Sequence, residues 1–286
     1  RWSELAKMDG AINISNDGGR IARANVHLVP DPTVPTSETG TRHRTAERVA
    51  RSLDVPVVSA SEEMGVINVY AGGIKRQLQE VGPLLDRANQ ALQTLERYKN
   101  RLDDAIGKLT SLEIEDVVTV RDMVTVVQRG EMVHRIADES ETLIIELGVD
   151  ARRLRLQLDE ICAVLSDEGD LVIADYLPPH RNVEDTVEEM SRMKDDDVLD
   201  ARMALATMHL GEVGLGDEIA PRGFRLLRRV SKLTPDVAAS IVERFGGLAR
   251  LQRATVDDLA AVDGVDADIA ESVKETLERV TENTIL

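Results

Sequence analysis

The chain has 286 residues, 42% of them hydrophobic, and a formal charge of −17, enough for two or three domains with ordinary cores. Aromatics make up only 2%, so those cores must be built from Leu, Val, Ile and Ala, which favours helices. The charge excludes a basic-coated surface. The single cysteine, Cys162, excludes a disulfide framework and a cysteine zinc site, and no uncharged apolar run of about 18 residues is present to span a membrane.

Trp2 to Lys7 reads as a helix running into a tight turn at Asp9-Gly10-Ala11. Ala11 to Ile14 follows as a short strand, and Asn16-Asp17-Gly18-Gly19 is a hairpin turn signal. Ile21 to Leu28 alternates partly and leads into Val29-Pro30-Asp31-Pro32, a loop that proline keeps out of regular structure. Thr45 to Leu53 carries Ala46, Val49, Ala50 and Leu53, the stripe of an amphipathic helix. Val55 to Ala60 and Gly65 to Tyr70 read as two further strands. Strands with an interposed helix predict an α/β domain, a mixed sheet flanked by helices, over residues 1–74.

Two motifs in this domain carry chemistry. Asp9 offers a carboxylate beside a glycine. Gly40-Thr41-Arg42-His43-Arg44-Thr45 begins 31 positions later and places two guanidiniums, an imidazole and two hydroxyls at a helix start. A carboxylate for a divalent metal facing a cationic cluster is what a nucleoside triphosphate site needs.

From Lys75 the apolar period becomes helical. Ala88, Leu92, Leu95, Leu102, Ile106 and Leu109 step by fours and threes with Lys99 in the one polar slot, which predicts a long helix in an all-α spine over 75–177 rather than an autonomous coiled coil. Leu112 to Arg135 and Leu154 to Leu165 supply further helices, the second holding Cys162 as a buried inert thiol. Tyr176-Leu177-Pro178-Pro179-His180 marks a boundary. The acidic stretch that follows, with Asp195, Asp196 and Asp197 consecutive, predicts a solvated linker over 178–200.

Residues 201–286 form a third, all-α domain. Phe224 to Phe245 and Val256 to Leu277 each read as helix, tight turn, helix, with Asp263-Gly264-Val265-Asp266 as the second turn. In such hairpins the backbone amides and the next helix N-terminus hold a DNA phosphate. Between Arg222 and Arg253 eight basic residues stand against Asp236 and Glu243, whereas from Ala254 onward two basic residues stand against nine acidic ones. The local basic footprint, with Arg222, Arg225, Arg228, Arg229 and Lys232 at its front and the Gly264 amide in the second hairpin, is the expected DNA contact. Asp266 stands where glycine is usual and would repel phosphate.

Taken with the flanking stretches Glu4 to Met8, Ala24 to Leu28, Arg87 to Ala91 and Arg152 to Leu158, these motifs resemble one family over nearly the whole chain. It is the bacterial DNA integrity scanning proteins, which are diadenylate cyclases with a helix-hairpin-helix tail. The resemblance implies condensation of two ATP to cyclic di-AMP with release of two pyrophosphates, in a homo-oligomer, typically an octamer, whose tail binds branched DNA. It implies a cytoplasmic, nucleoid-associated protein using Mg²⁺ or Mn²⁺. Carried onto this chain, Asp9 would hold the metal and help deprotonate the 3′-hydroxyl, with Glu63 a further metal ligand. Arg42, His43 and Arg44 would act in catalysis. Gly10, Ala11, Leu28, Thr41, Thr45 and Ser61 would complete the ATP site, with Leu28 beside the adenine. His27, His134, His180 and His209 have no partners at ligand spacing. The family carries several tens of residues before the Asp-Gly-Ala turn that are absent here, so residues 1–74 read as the C-terminal portion of the cyclase domain. The rival expectation is a non-catalytic DNA-junction scaffold with a degenerate cyclase domain.

Overall fold

The computed structural model describes residues 10–61, 65–164, 168–231 and 233–285, and the chain divides into two compact units, Arg1–Leu84 and Leu85–Leu286.

In the first unit, β1 (Ala11–Ile14) and β2 (Ile21–Val26) form an antiparallel pair. Its turn is held by Asp17, which accepts from the Ser15 hydroxyl and, at 3.1 Å, from the Gly19 N–H. After the proline loop comes α1 (Thr41–Leu53), which starts five residues before its apolar stripe. A second sheet follows, β3 (Val57–Ser61), β4 (Val66–Ala71) and β5 (Ile74–Leu78), antiparallel in the order β3-β4-β5. Every pairing among the described strands is antiparallel, so the expected mixed sheet takes the form of two small sheets. Ala46 and Ala50 of α1 pack on Tyr70 and Val57 of the second sheet. Leu53, the last residue of the stripe, stays 66% exposed because the helix ends there, with Asp54 in the left-handed region (φ 50°). β5 departs from the expectation that a spine begins at Lys75. Gly72 and Gly73, at φ 53° and 76°, make the two-residue turn that returns the chain beside β4.

The second unit holds most of α2 (Val81–Glu115), whose residues Ala88, Leu92, Leu95 and Leu109 are at most 1% exposed. Lys99 tolerates its apolar face by reaching Asp103 at 2.7 Å. The expected helix through Leu112 to Arg135 is broken. Asp116 turns left-handed (φ 59°), and α3 (Val120–Leu147) starts afresh from Thr119, whose N–H and hydroxyl both donate to Asp122. The loop before the last helices pairs there, Val120 N–H donating to Asp217 O and Ile219 N–H to Val118 O at 2.9 Å each.

A 3₁₀ turn (Gly148–Ala151) leads to α4 (Arg152–Val164) and α5 (Glu168–Tyr176), then α6 (Val183–Ser191), α7 (Asp195–Leu199) and α8 (Ala201–Thr207). Here the expectation of a solvated linker over 178–200 is corrected. Thr186, Met190 and Val198 are buried among the acidic residues, and α3 grips the segment. Arg135 donates to Asp195 at 2.6 Å and to Met190 O at 2.9 Å, and Gln128 donates to Val198 O at 2.6 Å. The acidic residues form the outer face of packed helices.

The chain closes with α9 (Phe224–Leu227), α10 (Pro235–Phe245), α11 (Leu248–Arg253), α12 (Val256–Ala260) and α13 (Ala267–Ile285). Leu226, Leu227, Ile241, Leu248, Leu251, Leu259, Val273 and Leu277 build their common core. Leucine, valine, isoleucine and alanine fill it, with Phe224 and Phe245 packed against it.

Candidate functional site

The first cluster is built around the start of α1. Gly40 caps the helix in extended conformation with no side chain to bond the first-turn N–H groups, which leaves that end open to an anion. Thr41, Arg42 and Arg44 are exposed there, whereas His43 between them is 5% exposed. At 100° per residue, turning His43 inward sends Arg42 and Arg44 outward on either side.

His43 is held from β3 and β4. Its Nδ1 lies 3.0 Å from Ser59 Oγ, 3.2 Å from Asn68 Nδ2 and 3.4 Å from Tyr70 Oη. Ser59 and Asn68 are cross-strand partners, so a single register step sets both. The buried Nε2 has no hydrogen-bond partner among the described residues. The Tyr70 hydroxyl donates to Glu38 Oε1 at 3.1 Å, and Lys75 Nζ of β5 reaches the same oxygen at 2.5 Å. Burial, then the hydrogen bond to Glu38, pushes the Tyr70 hydroxyl up to about 12, while the Lys75 hydrogen bond holds Glu38 below the ordinary glutamate range.

Glu47, one turn beyond His43 and 4% exposed, ties down the approach loop. It accepts from the Thr36 hydroxyl at 2.5 Å and the Ser37 N–H at 3.2 Å, and pairs with Arg51 at 2.7 Å. Arg48 donates to Val34 O and Arg51 to Pro35 O, both at 2.9 Å. None of Glu38, Glu47, Ser59, Asn68 or Tyr70 was singled out from sequence. The alternation of Ser59 with Val57, and of Asn68 with Tyr70, was the available signal, since polar residues on a sheet's inner face need partners there.

Asp9 and Glu63 lie outside the described residues. Gly10 is half-buried, and a Cβ placed on it would lie 2.6 Å from Asn25 Cα and 2.8 Å from Asn25 C. β2 itself therefore demands glycine at this position. Ala11 and Leu28 are half-buried in and just after the hairpin, Thr45 is half-buried on α1, and Ser61 ends β3 on the face that carries Ser59.

The second cluster lies in the last helices. Arg228 and Arg229 are exposed after α9, and Arg244, Arg250 and Arg253 are exposed on α10 and α11. Lys232 lies outside the described residues. Two members of the expected phosphate-facing set are corrected. Arg225 is 0% exposed, ion-paired with Glu113 and bonded to Thr110 Oγ1 at 2.9 Å. Arg222 is half-buried, donates to Ala174 O and stacks 5.0 Å from the Phe224 ring, and burial lowers its pKa. Both guanidiniums serve the junction of α9 with α2 and α5, because α9 is pinned there by Asp175. One Asp175 oxygen accepts from Gly223 N–H (2.7 Å) and Phe224 N–H (2.5 Å), and the other from Arg225 N–H (3.0 Å).

Of the two hairpins, the second keeps an exposed Gly264 at its turn, but Asp266 caps α13 by accepting from Ile269 N–H at 2.8 Å. Its helix terminus is thus already occupied by a carboxylate. In the first, Thr234 caps α10 with a longer contact of 3.4 Å from Val237 N–H, and Pro235 follows at the first helical position.

Among the described residues, no cluster of three metal-ligating groups surrounds the remaining singled-out residues. His27, His134 and His180 are exposed, and His209 pairs with Glu189 at 3.1 Å. Cys162 is half-buried, its thiol pushed up by burial and by Asp159, Glu141 and Asp138, which fits an inert role. No described helix is long and apolar enough to cross a membrane.

Comparison with known proteins assigns each segment. Residues 2–75 match the family model of the DisA bacterial checkpoint controller nucleotide-binding domain, 78–213 that of the DisA linker region, and 227–286 that of the helix-hairpin-helix motif. The DNA integrity scanning protein DisA of Parafrankia sp. is 50% identical over 293 residues, covering 100% of this chain and 81% of the relative. Those of Acidothermus cellulolyticus and Streptomyces coelicolor are each 48% identical, covering 99% and 100% of this chain and 78% of each relative. With the uncapped arginine-flanked helix start at one end and paired hairpins at the other, the chain belongs to the DNA integrity scanning protein family, and its amino-terminal domain is that family's nucleotide-binding diadenylate cyclase domain.

Proposed function

We propose that the protein joins two ATP molecules into cyclic di-AMP. Each 3′-oxygen forms a bond to the α-phosphorus of the other nucleotide, gives up its proton, and expels pyrophosphate. The observation that carries this reading is the open N-terminus of α1, flanked by exposed Arg42 and Arg44, inside a domain matched to the family's nucleotide-binding model. Guanidiniums, hydroxyls and helix N–H groups there suit the charge that builds on phosphate oxygens during transfer. Thr41, Thr45 and Ser61 add hydroxyl donors, Gly10 and Ala11 border the nucleotide, and Leu28 packs beside the adenine.

Asp9 would hold the metal and help deprotonate the attacking 3′-hydroxyl, with Glu63 as a further ligand. The described residues contain no cluster of three metal-ligating groups, and Glu38 and Glu47 are committed to Lys75, Tyr70 and Arg51. Hard carboxylate oxygens such as those of Asp9 and Glu63 would suit Mg²⁺ or Mn²⁺, which when bound would supply positive charge to the reacting phosphate. As the family resemblance implies, two cyclase domains face each other with one ATP each, so the working protein is a homo-oligomer, an octamer.

The helix-hairpin-helix match and the exposed arginines 228, 229, 244, 250 and 253 support phosphate-backbone contact with branched DNA by the last helices. On this reading the protein is a cytoplasmic, nucleoid-associated enzyme that couples DNA scanning to nucleotide synthesis. The test is incubation of the chain and of Asp9→Asn and Arg42→Ala/Arg44→Ala variants with ATP and Mg²⁺ or Mn²⁺, with cyclic di-AMP read by mass spectrometry. Product from the parent alone is expected. Junction binding with no product from the parent would instead support the non-catalytic scaffold.

A further inference from the structure

We infer that His43 is a positioning residue and not a group that handles protons in the reaction, and that Glu38 and Tyr70 act through it to aim Arg42 and Arg44 at the nucleotide. This rests on the nucleotide reading above. Three features support it.

The first is access. A general base or acid must reach the reacting hydroxyl, yet Nδ1 of His43 is turned into the sheet among Ser59, Asn68 and Tyr70, and Nε2 is shut from solvent. The second is geometry. His43 is the one inward residue of the first turn, so its bonds to β3 and β4 fix the rotation of α1 about its axis. A turn of the helix large enough to release His43 would swing Arg42 or Arg44 against the sheet. The third is the support behind it. Tyr70, 2% exposed, commits its proton to Glu38, and Lys75 holds Glu38 in turn. Glu38 stands two residues before the helix cap, so the same carboxylate fixes the loop entering α1 and the hydroxyl beneath it. Lys75 also offsets a negative charge that would otherwise face incoming phosphates.

The chain of contacts predicts a ground-state effect. Misaimed arginines lose triphosphate binding before they lose the chemical step, so KM for ATP should rise more than kcat falls. The experiment uses the full chain and His43→Gln, Tyr70→Phe, Glu38→Gln and the Tyr70→Phe/His43→Gln double variant. Melting temperatures confirm folding, calorimetry with a non-hydrolysable ATP analogue and Mg²⁺ reads binding, and initial rates against pH read catalysis. Each single variant is expected to raise KM and the analogue's Kd about five- to tenfold, with kcat within about threefold and the pH–rate profile unchanged in shape. The double variant should be little worse than His43→Gln alone, because both act through one contact. Loss of kcat in His43→Gln at unchanged KM, or disappearance of a limb of the pH profile, would show proton transfer by His43 and overturn the inference. So would variants that fold and bind the analogue like the parent. A folded parent that binds no analogue would overturn the nucleotide reading itself, and this inference with it.

Discussion

The Arg225 guanidinium is ion-paired with the Glu113 carboxylate, 112 positions earlier in the chain, and both side chains are withdrawn from solvent. Glu113 also accepts from the Tyr176 hydroxyl at 2.7 Å, and Arg225 reaches Thr110. Asp175 closes the group by capping α9 through its first backbone N–H groups. This buried polar knot, rather than apolar contact alone, docks the last helices onto α2 and α5. Removing one partner leaves a charge in a place it cannot solvate. Arg225→Met should therefore destabilise the protein by about 3–5 kcal/mol, whereas exposed Arg228→Ala should stay within about 0.5 kcal/mol. Denaturant unfolding of both variants measures this, and equal losses would refute the separation of a docking arginine from a surface one.

The same knot sets a pH dependence. Burial, then the Glu113 charge, raises the Asp175 pKa to about 6 against the hydrogen bonds and the Arg225 charge that lower it. A folded-state value above the ordinary ~3.9 means that between about pH 4 and 6 the native protein holds a proton the unfolded chain has released. Stability from this group is thus present below about pH 4 and lost as pH rises through about 6, by about 3 kcal/mol at most. The measurement is the difference in unfolding free energy between the parent and Asp175→Asn across that window. It should shift in the parent's disfavour as pH rises; a flat difference would remove Asp175 as the titrating group.

The contrast between Arg225 and Arg228 shows where sequence reading stops. Both sit in one basic cluster, and the helical hairpins around them were legible from turn residues and apolar spacing. What separates them is a partner 112 residues away, which no local pattern reports. The expected linker over 178–200 failed for the same reason: its charge run was all the local pattern showed, and the grip on Met190 and Val198 comes from Arg135 and Gln128 of α3. Around α1 the arginines, threonines and glycine could be read from the motif, while Glu38, Tyr70 and Asn68 could not, because their roles depend on strand register. β5 was missed although Gly72-Gly73 signalled its turn.

Gly10 gives a local test of the β1–β2 hairpin. A methyl group there would sit 2.6–2.8 Å from Asn25 backbone atoms, which cannot give way as a flexible side chain would. Gly10→Ala should cost about 1–3 kcal/mol through forced backbone movement. Cyclic di-AMP formation should fall with it, because the shift is next to Asp9. A variant that melts like the parent would mean that β1 and β2 do not approach so closely.

The two hairpins of the last helices should divide their duties. Arg228 and Arg229 are exposed beside the first, whereas the second spends its helix terminus on Asp266. If phosphates are held at the first hairpin, Arg228→Ala/Arg229→Ala should weaken junction binding and reduce the slope of log affinity against log salt by about one unit per lost contact. Asp266→Ala should act in the other direction on DNA: it removes a repelling carboxylate and frees the amides at the start of α13, so affinity should hold or rise. Its cost should appear in stability, about 1 kcal/mol for a lost helix cap. Salt-dependent binding isotherms and melting curves on both variants decide the matter. An unchanged slope in the arginine variant together with tighter binding by Asp266→Ala would place the phosphate contact at the second hairpin instead.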